Sequence, residues 1–109
     1  MEKYYDKLVR DNIPNIIEQQ GNTPVTRKLS DEEYLAYLNK KLKEETEEYL
    51  NDNNAEEICD ILEVVKAIAS ALNVSDEDLE GIRKAKKQKN GAFRSRILLE
   101  KVMINRPAD

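Results

Sequence analysis

The chain has 109 residues, of which 39% are hydrophobic and 37% are charged, with a formal net charge of −4. This length suits one domain spanning residues 1–109 with a modest core. The acidic balance gives no reason to expect nucleic-acid binding. No apolar run approaches the roughly 20 residues of a membrane span. The chain has no histidine, which excludes histidine catalysis and ligation, and its single cysteine, Cys59, excludes an internal disulfide. Since no signal-peptide pattern opens the chain, we expect a cytoplasmic protein.

Residues 1–30 contain one short predicted helix. Asp11 or Asn12 caps its start, Pro14 suits its first turn and Gly21 its end. The following residues, NTPVTRKL at 22–29, combine a proline with β-branched side chains. They are predicted to be extended, as one short strand.

Two long helices joined by a short turn are predicted next. Ser30 with Glu33 forms a capping box, so the second helix runs from about residue 31 to 51. The run NDNN at 51–54 favours a turn. A third helix follows, from about residue 55 to 72. Because the turn is short, the two helices are expected to pack as antiparallel neighbours.

The last third of the chain is predicted to contain a fourth helix and a second extended segment. Ser75 starts the fourth helix, which runs to about Asn90 before Gly91. FRSRILLEKVMI, residues 93–104, is rich in apolar side chains and is predicted to form a short strand, with Phe93 in the core. The predicted fold class is therefore all-α, with about four helices and a minor extended or strand element.

Acidic residues lie on the apolar faces of the second and third helices. At about 100° per residue, Glu45 falls in the same arc as Leu38, and Glu57 falls inside the apolar arc of the third helix. Glu48 and Asp60 fall at the rims of these arcs. The antiparallel packing lets the two pairs of carboxylates face each other.

Four converging carboxylates need compensation, since burying an unpaired charge costs several kcal/mol. Raised pKa values, cationic partners or a bound metal ion are the usual remedies, and Lys41 is the one obvious cation nearby. A divalent ion that prefers oxygen ligands (Mg²⁺, Mn²⁺ or Ca²⁺) is the favoured interpretation. The competing interpretation is a solvated helix face with acid–lysine pairs. It fits the acidic residues that are predicted to project towards solvent: Glu44, Glu47, Glu56 and Glu63.

Two acidic motifs carry a resemblance to a known family. EETEE at 44–48 followed by EEICD at 56–60 resembles the EExxE…ExxD signature of the MazG-type nucleotide pyrophosphohydrolases, of the all-α NTP pyrophosphatase superfamily. Three flanking runs are similar to the short, phosphoribosyl-ATP pyrophosphohydrolase-like branch: KLVRDNIP, SDEEYLAYLNKKLKEE and KNGAFRSRILLEKV. The resemblance thus covers nearly the whole chain. The eight residues between Glu48 and Glu57 are fewer than in many longer members. The resemblance therefore leaves the identity of the substrate open.

The resemblance implies a reaction and a site. Glu45, Glu48, Glu57 and Asp60 would bind Mg²⁺, with Mn²⁺ as a substitute, and Glu45 or Glu48 would act as the catalytic base. The reaction would hydrolyse a nucleoside triphosphate between its α and β phosphates, giving monophosphate and pyrophosphate, in house-cleaning of unwanted nucleotides. Related proteins are dimers or tetramers in which two chains complete a four-helix bundle. A homodimer or homotetramer is therefore expected.

Basic residues are the candidates for phosphate binding, because guanidinium and ammonium groups bind phosphate oxygens. Arg96 matches the arginine of the family's GxFxxR pattern and ranks first. Arg94 and Lys87 lie beside it, where a glycine ends the fourth helix. Lys7 and Arg10 form a second group, for which ion pairs within the N-terminal segment are the alternative.

Three alternative functions stay open. Hydrolysis of phosphoribosyl-ATP in histidine biosynthesis uses the same metal site. A nonenzymatic helical interaction module would use the acids to meet a basic partner, and it predicts no phosphate release. Nucleic-acid binding through residues 83–96 is disfavoured by the net charge and would depend steeply on salt.

Overall fold

The computed structural model describes residues 1–105, which form four α-helices. Their bounds are Ile13–Gln19 for α1, Asp31–Asp52 for α2, Ala55–Ala71 for α3 and Asp76–Asn90 for α4. The all-α fold class is confirmed, and the ends of α2, α3 and α4 lie within one residue of the predicted ones. None of these helices is both long enough and apolar enough to cross a lipid bilayer.

Neither segment that was predicted to be extended forms a strand. Residues 22–29 and 93–104 are irregular, and residues 1–105 contain no strand at all. A strand exists through hydrogen bonds to a neighbouring strand. Without such a neighbour, β-branched and apolar composition does not produce one.

Side-chain caps fix the starts of the two long helices. Ser30 Oγ accepts a hydrogen bond from the Glu33 backbone N–H at 3.2 Å, and Glu33 Oε1 accepts one from the Ser30 N–H at 3.3 Å. This is the predicted capping box. Asn54 caps α3, because its Oδ1 accepts a hydrogen bond from the Glu57 N–H at 2.9 Å.

A two-residue connection folds α2 back onto α3. Asn53 adopts the left-handed conformation, with φ 50° and ψ 46°, and its N–H donates to the Tyr49 carbonyl oxygen at 2.7 Å. Asparagine tolerates this conformation better than most residues. The antiparallel helical hairpin that results, residues 31–71, holds the acidic residues of both helices side by side.

The core lies between α2 and α3 and is small. Leu38 is 2% exposed, and Val64 and Ala69 are its buried neighbours on α3. The one other buried side chain in residues 1–105 is that of Glu45. Helix α4 contacts α3 but contributes no buried residue. The prediction that Phe93 is a core residue is wrong: it is 97% exposed, because nothing within residues 1–105 packs over it.

Candidate metal centre

Five acidic residues meet where α2 faces α3. One carboxylate oxygen from each of Glu45, Glu57 and Asp60 lies within 4.8 Å of the other two. An overlapping group with the same spacing joins Glu45 to Glu44 and Glu48. Glu45 therefore links all five residues, which we call the acidic cluster.

Burial within the acidic cluster is uneven. Glu45 is 6% exposed, as its place in the apolar arc predicted. Glu57 and Asp60 are partly buried, while Glu48 is exposed at the rim. Glu44 corrects the sequence analysis: it was assigned to solvent, but it is partly buried and belongs to the cluster. The helical projection treated α2 alone and did not include the N-terminal segment that lies against Glu44.

Two oxygens of the acidic cluster are buried without a partner. Glu45 Oε2 and Glu57 Oε2 receive no hydrogen bond from any described residue. An unsatisfied buried polar atom costs roughly 1–3 kcal/mol, and more when it is charged. Native proteins rarely retain such atoms unless a water or an ion satisfies them. Glu45 and Glu57 lie on facing helices, and one carboxylate oxygen of each lies within 4.8 Å of the other.

The surroundings shift the pKa values of two cluster residues in opposite directions. Burial raises the pKa of Glu45 above its ordinary value, and nearby Glu48 acts in the same sense. Lys41 opposes this shift, since its Nζ lies 3.2 Å from Glu45 Oε1. A hydrogen bond from Lys7 lowers the pKa of Glu44. Glu44 therefore stays ionised at neutral pH, while burial disfavours the ionised form of Glu45 and raises its pKa.

The N-terminal segment supplies two more cations to the acidic cluster. Lys7 Nζ lies 2.9 Å from Glu44 Oε1, and Arg10 Nη2 lies 2.7 Å from Asp60 Oδ1. The sequence ranked these two residues second for phosphate binding, yet they are the ones that reach the site. Lys7 and Glu44 are separated by 37 positions in the sequence, and Arg10 and Asp60 by 50. Contacts over such separations leave no periodic signal in the sequence.

A cleft of about 160 Å³ opens beside the acidic cluster. Lys7, Lys40, Lys41 and Glu44 are among the residues that line it. Lys40 also lies over the ring of Tyr37, with its Nζ 4.8 Å from the ring centroid. Its charged lining consists of three lysines and two carboxylates, Asp6 and Glu44, which gives the cleft a net charge of only about +1. The sequence analysis missed Lys40, although its position next to Lys41 in the middle of α2 was a usable signal.

The other candidate phosphate-binding residues lie elsewhere. Lys87 is near the end of α4, and Arg94 and Arg96 follow Gly91 in the irregular segment. All three are exposed. Within residues 1–105 none of them forms an ion pair with the acidic cluster.

The acidic cluster fits a hard divalent cation. Its donors are all carboxylate oxygens, the type that Mg²⁺ and Mn²⁺ prefer. With all five carboxylates ionised, the form that binds a cation, they exceed the three nearby cations, Lys7, Arg10 and Lys41, by two negative charges. One divalent ion would balance that excess.

Comparisons with known proteins add little to this geometry. No protein-family model matches the chain, and no solved structure matches it. A curated protein of Mycolicibacterium smegmatis, described as an uncharacterized protein, is 57% identical over 42 residues. Those residues are 38% of this chain and 43% of the relative. The chain thus matches less than half the length of that relative, and the resemblance to the MazG-type enzymes rests on the motif residues themselves.

Proposed function

We propose that the acidic cluster binds Mg²⁺ and that the protein hydrolyses a nucleoside triphosphate, or a related nucleotide, between the α and β phosphates. The products are a monophosphate and pyrophosphate. One observation carries this proposal: Glu45 and Glu57 present buried carboxylate oxygens with no partner among the described residues, side by side in an acidic cluster. The resemblance of residues 44–48 and 56–60 to the MazG-type signature supplies the reaction.

Glu45, Glu48, Glu57 and Asp60 are the residues that would hold the ion, with Mn²⁺ as a substitute. A divalent ion supplies neutralisation of phosphate charge and activation of water for attack. The chain's own contribution begins with positioning, because caps and a two-residue turn fix α2 against α3. Rigid elements of this kind hold reacting groups in one geometry.

Glu45 or Glu48 is the proposed proton acceptor. A general base works best when its pKa lies near the working pH. Burial moves the pKa of Glu45 upward, in that direction. Glu48 is exposed and is therefore free to pass a proton to solvent.

Lys7 and Arg10 are the proposed first contacts of the nucleotide phosphates. Both are exposed, so an incoming ligand can reach them. Each is now paired with an acid of the cluster, Lys7 with Glu44 and Arg10 with Asp60. With a cation held at Asp60, Arg10 would be free to turn to a phosphate oxygen.

A panel of NTPs, dNTPs and phosphoribosyl-ATP, incubated with the purified protein and Mg²⁺, tests the proposal. Products are resolved by chromatography, and Glu45→Gln serves as the matched variant. We expect monophosphate and pyrophosphate from at least one nucleotide, lost in Glu45→Gln and on adding EDTA. Turnover of phosphoribosyl-ATP alone assigns the histidine-biosynthesis reaction. No turnover of any nucleotide contradicts the proposal and favours the interaction module.

A further inference from the structure

The N-terminal segment, residues 1–12, lies on the helical hairpin without being packed into its core. It forms no helix or strand, and none of its residues is buried. Helix α1, which follows it, packs against no other helix of residues 1–105. Burial of apolar surface is the main force that holds an element in place. Because the segment buries so little, polar contacts of its side chains carry much of its attachment.

Three such contacts tie the N-terminal segment to the hairpin. Tyr37 Oη donates a hydrogen bond to Asp6 Oδ1 at 3.1 Å. The other two are the ion pairs that Lys7 and Arg10 make with the acidic cluster. Both basic side chains are about half exposed, and an exposed ion pair shifts an equilibrium only about two- to fivefold. Two of the three ties are therefore weak and end on carboxylates of the acidic cluster.

The backbone at Asp6 also favours release of the segment. Asp6 has a φ of 46°, in the left-handed region. Aspartate adopts this conformation more often than most residues, but any residue with a Cβ has a lower free energy in the extended or right-handed regions. The docked position thus has a backbone cost that is relieved when the segment comes away.

The N-terminal segment forms one wall of the cleft beside the acidic cluster. Asp6, Lys7 and Leu8 line the cleft from the segment, and its other lining residues belong to α2. Leu8 and Glu44 are both partly buried there. Departure of the segment would remove this wall and expose the Glu44 side of the acidic cluster to solvent.

We propose that the N-terminal segment is a strap that a divalent cation releases: binding of the ion at the acidic cluster breaks the ties of Arg10 and Lys7 and frees the segment from the hairpin. The ion competes directly with Arg10, because both need the Asp60 carboxylate. It weakens the Lys7 tie by charge repulsion, which acts over about 10 Å at 0.1 M salt. The whole segment moves, rather than the Arg10 side chain alone.

Release and ion binding are linked quantitatively. The factor by which the ion weakens docking of the segment equals the factor by which docking weakens binding of the ion. Two ties of two- to fivefold each give a factor of roughly four- to 25-fold. The released segment presents Lys7 and Arg10 without their acidic partners to an anionic ligand. Their use by a nucleotide rests on the proposed function, whereas the release rests on the metal centre alone.

Distances between two spin labels test the release without any nucleotide. One nitroxide is attached at Lys3→Cys and the other at the native Cys59, which is exposed on α3. In EDTA we expect one main, narrow distance distribution, from the docked segment. Saturating Mg²⁺ should raise the ratio of released to docked segment roughly four- to 25-fold, seen as a broad distribution. NaCl at the same ionic strength is the control for charge screening and should leave most of the segment docked.

Arg10→Ala and Arg83→Ala are a matched pair of variants, because each removes an exposed arginine that is paired with an acid. Without any metal, Arg10→Ala should raise the released fraction relative to the docked one about two- to fivefold, and Arg83→Ala should not change it. An Arg10→Ala segment that stays docked as firmly as that of Arg83→Ala overturns the proposal.

Calorimetric titration of Mg²⁺ into the same labelled chain separates the possible failures. Bound Mg²⁺ with an unchanged distance distribution overturns the release and leaves the proposed hydrolysis standing. Absence of Mg²⁺ binding overturns both the metal centre and the release. A segment that Mg²⁺ releases, in a chain that hydrolyses no nucleotide, supports the strap and contradicts the proposed reaction alone.

Discussion

The helical hairpin, residues 31–71, and the C-terminal region, residues 76–104, differ in how far their apolar side chains are buried. The hairpin contains every buried side chain of residues 1–105 and all five residues of the acidic cluster. The C-terminal region has no buried residue, although residues 93–104 are rich in leucine and isoleucine. Apolar composition produces a core only where two faces meet, and the hairpin supplies both faces from one chain. The C-terminal region supplies apolar side chains that no second face within residues 1–105 covers.

The largest expected effect comes from removing a charge from the acidic cluster, which tests whether the helical hairpin carries the activity. Glu57→Gln keeps the shape of the side chain but replaces an unpartnered carboxylate oxygen. We expect hydrolysis to fall by at least about 100-fold, since loss of a metal ligand exceeds the cost of losing a supporting contact. Steady-state kinetics measure the loss. Glu63→Gln, exposed on the same helix, is the control and should keep full activity; equal activity of the two variants contradicts the assignment.

Truncating a buried side chain tests whether the core between α2 and α3 holds the fold together. Leu38→Ala is expected to lower the free energy of unfolding by about 2 kcal/mol, the low end for buried leucines, because the small core collapses readily. Leu98→Ala should leave the free energy of unfolding within about 0.5 kcal/mol of wild type, because Leu98 is 82% exposed. Urea unfolding measures both effects. A loss in Leu98→Ala as large as that in Leu38→Ala would contradict the exposed position of residues 93–104.

Replacing Arg10 tests how the N-terminal segment affects metal binding at the acidic cluster. Arg10→Ala removes the cation 2.7 Å from Asp60, so the acidic cluster becomes more negative. We expect Mg²⁺ to bind about two- to fivefold more tightly, the range that exposed ion pairs allow. The KM for nucleotide should rise at the same time if Arg10 also contacts phosphate. Isothermal titration and kinetics measure the two effects, with Arg83→Ala on α4 as control. Weaker metal binding in Arg10→Ala would run against this account.

The smallest expected effect is the pH dependence of the α2 cap. A hydrogen bond from Arg27 and one from the Ser30 backbone lower the pKa of Glu33 from 4.5 to about 2. Because the folded pKa is the lower one, the stabilisation is complete above pH 4.5 and is lost as pH falls towards 2. Glu33→Gln should therefore lower Tm slightly at pH 7, with the difference from wild type disappearing near pH 2. A difference that stays constant across this range would contradict the assigned pKa.

The hairpin was largely predictable from the sequence, because its determinants are local. Ser30 and Glu33 form a capping box three residues apart, and the run at 51–54 forms the turn. Helical periodicity then placed Glu45 among apolar side chains, which is where the structure has it. Helix caps and helical periodicity depend on the spacing of residues within a short stretch of sequence, so they can be recognised without a structure.

The remaining features could not be predicted because they depend on distant parts of the chain. Lys7 and Arg10 reach Glu44 and Asp60 through a segment with no regular structure, so no period connects them. Phe93 was assigned to a core on composition, but no surface in the described part of the chain covers it. Composition identifies a residue that needs burial; it does not identify what buries it.

Titration of Mg²⁺ into the wild type and into Glu45→Gln, followed by calorimetry of thermal unfolding, tests the central claim most directly. The account predicts that Mg²⁺ binds the wild type and raises its Tm, since a ligand that binds the folded state stabilises it. Both effects should be absent in Glu45→Gln, while Glu47→Gln, exposed on the same helix, retains them. If Mg²⁺ and Mn²⁺ leave the Tm of the wild type unchanged, or shift it equally in Glu45→Gln, the acidic cluster is not a metal centre.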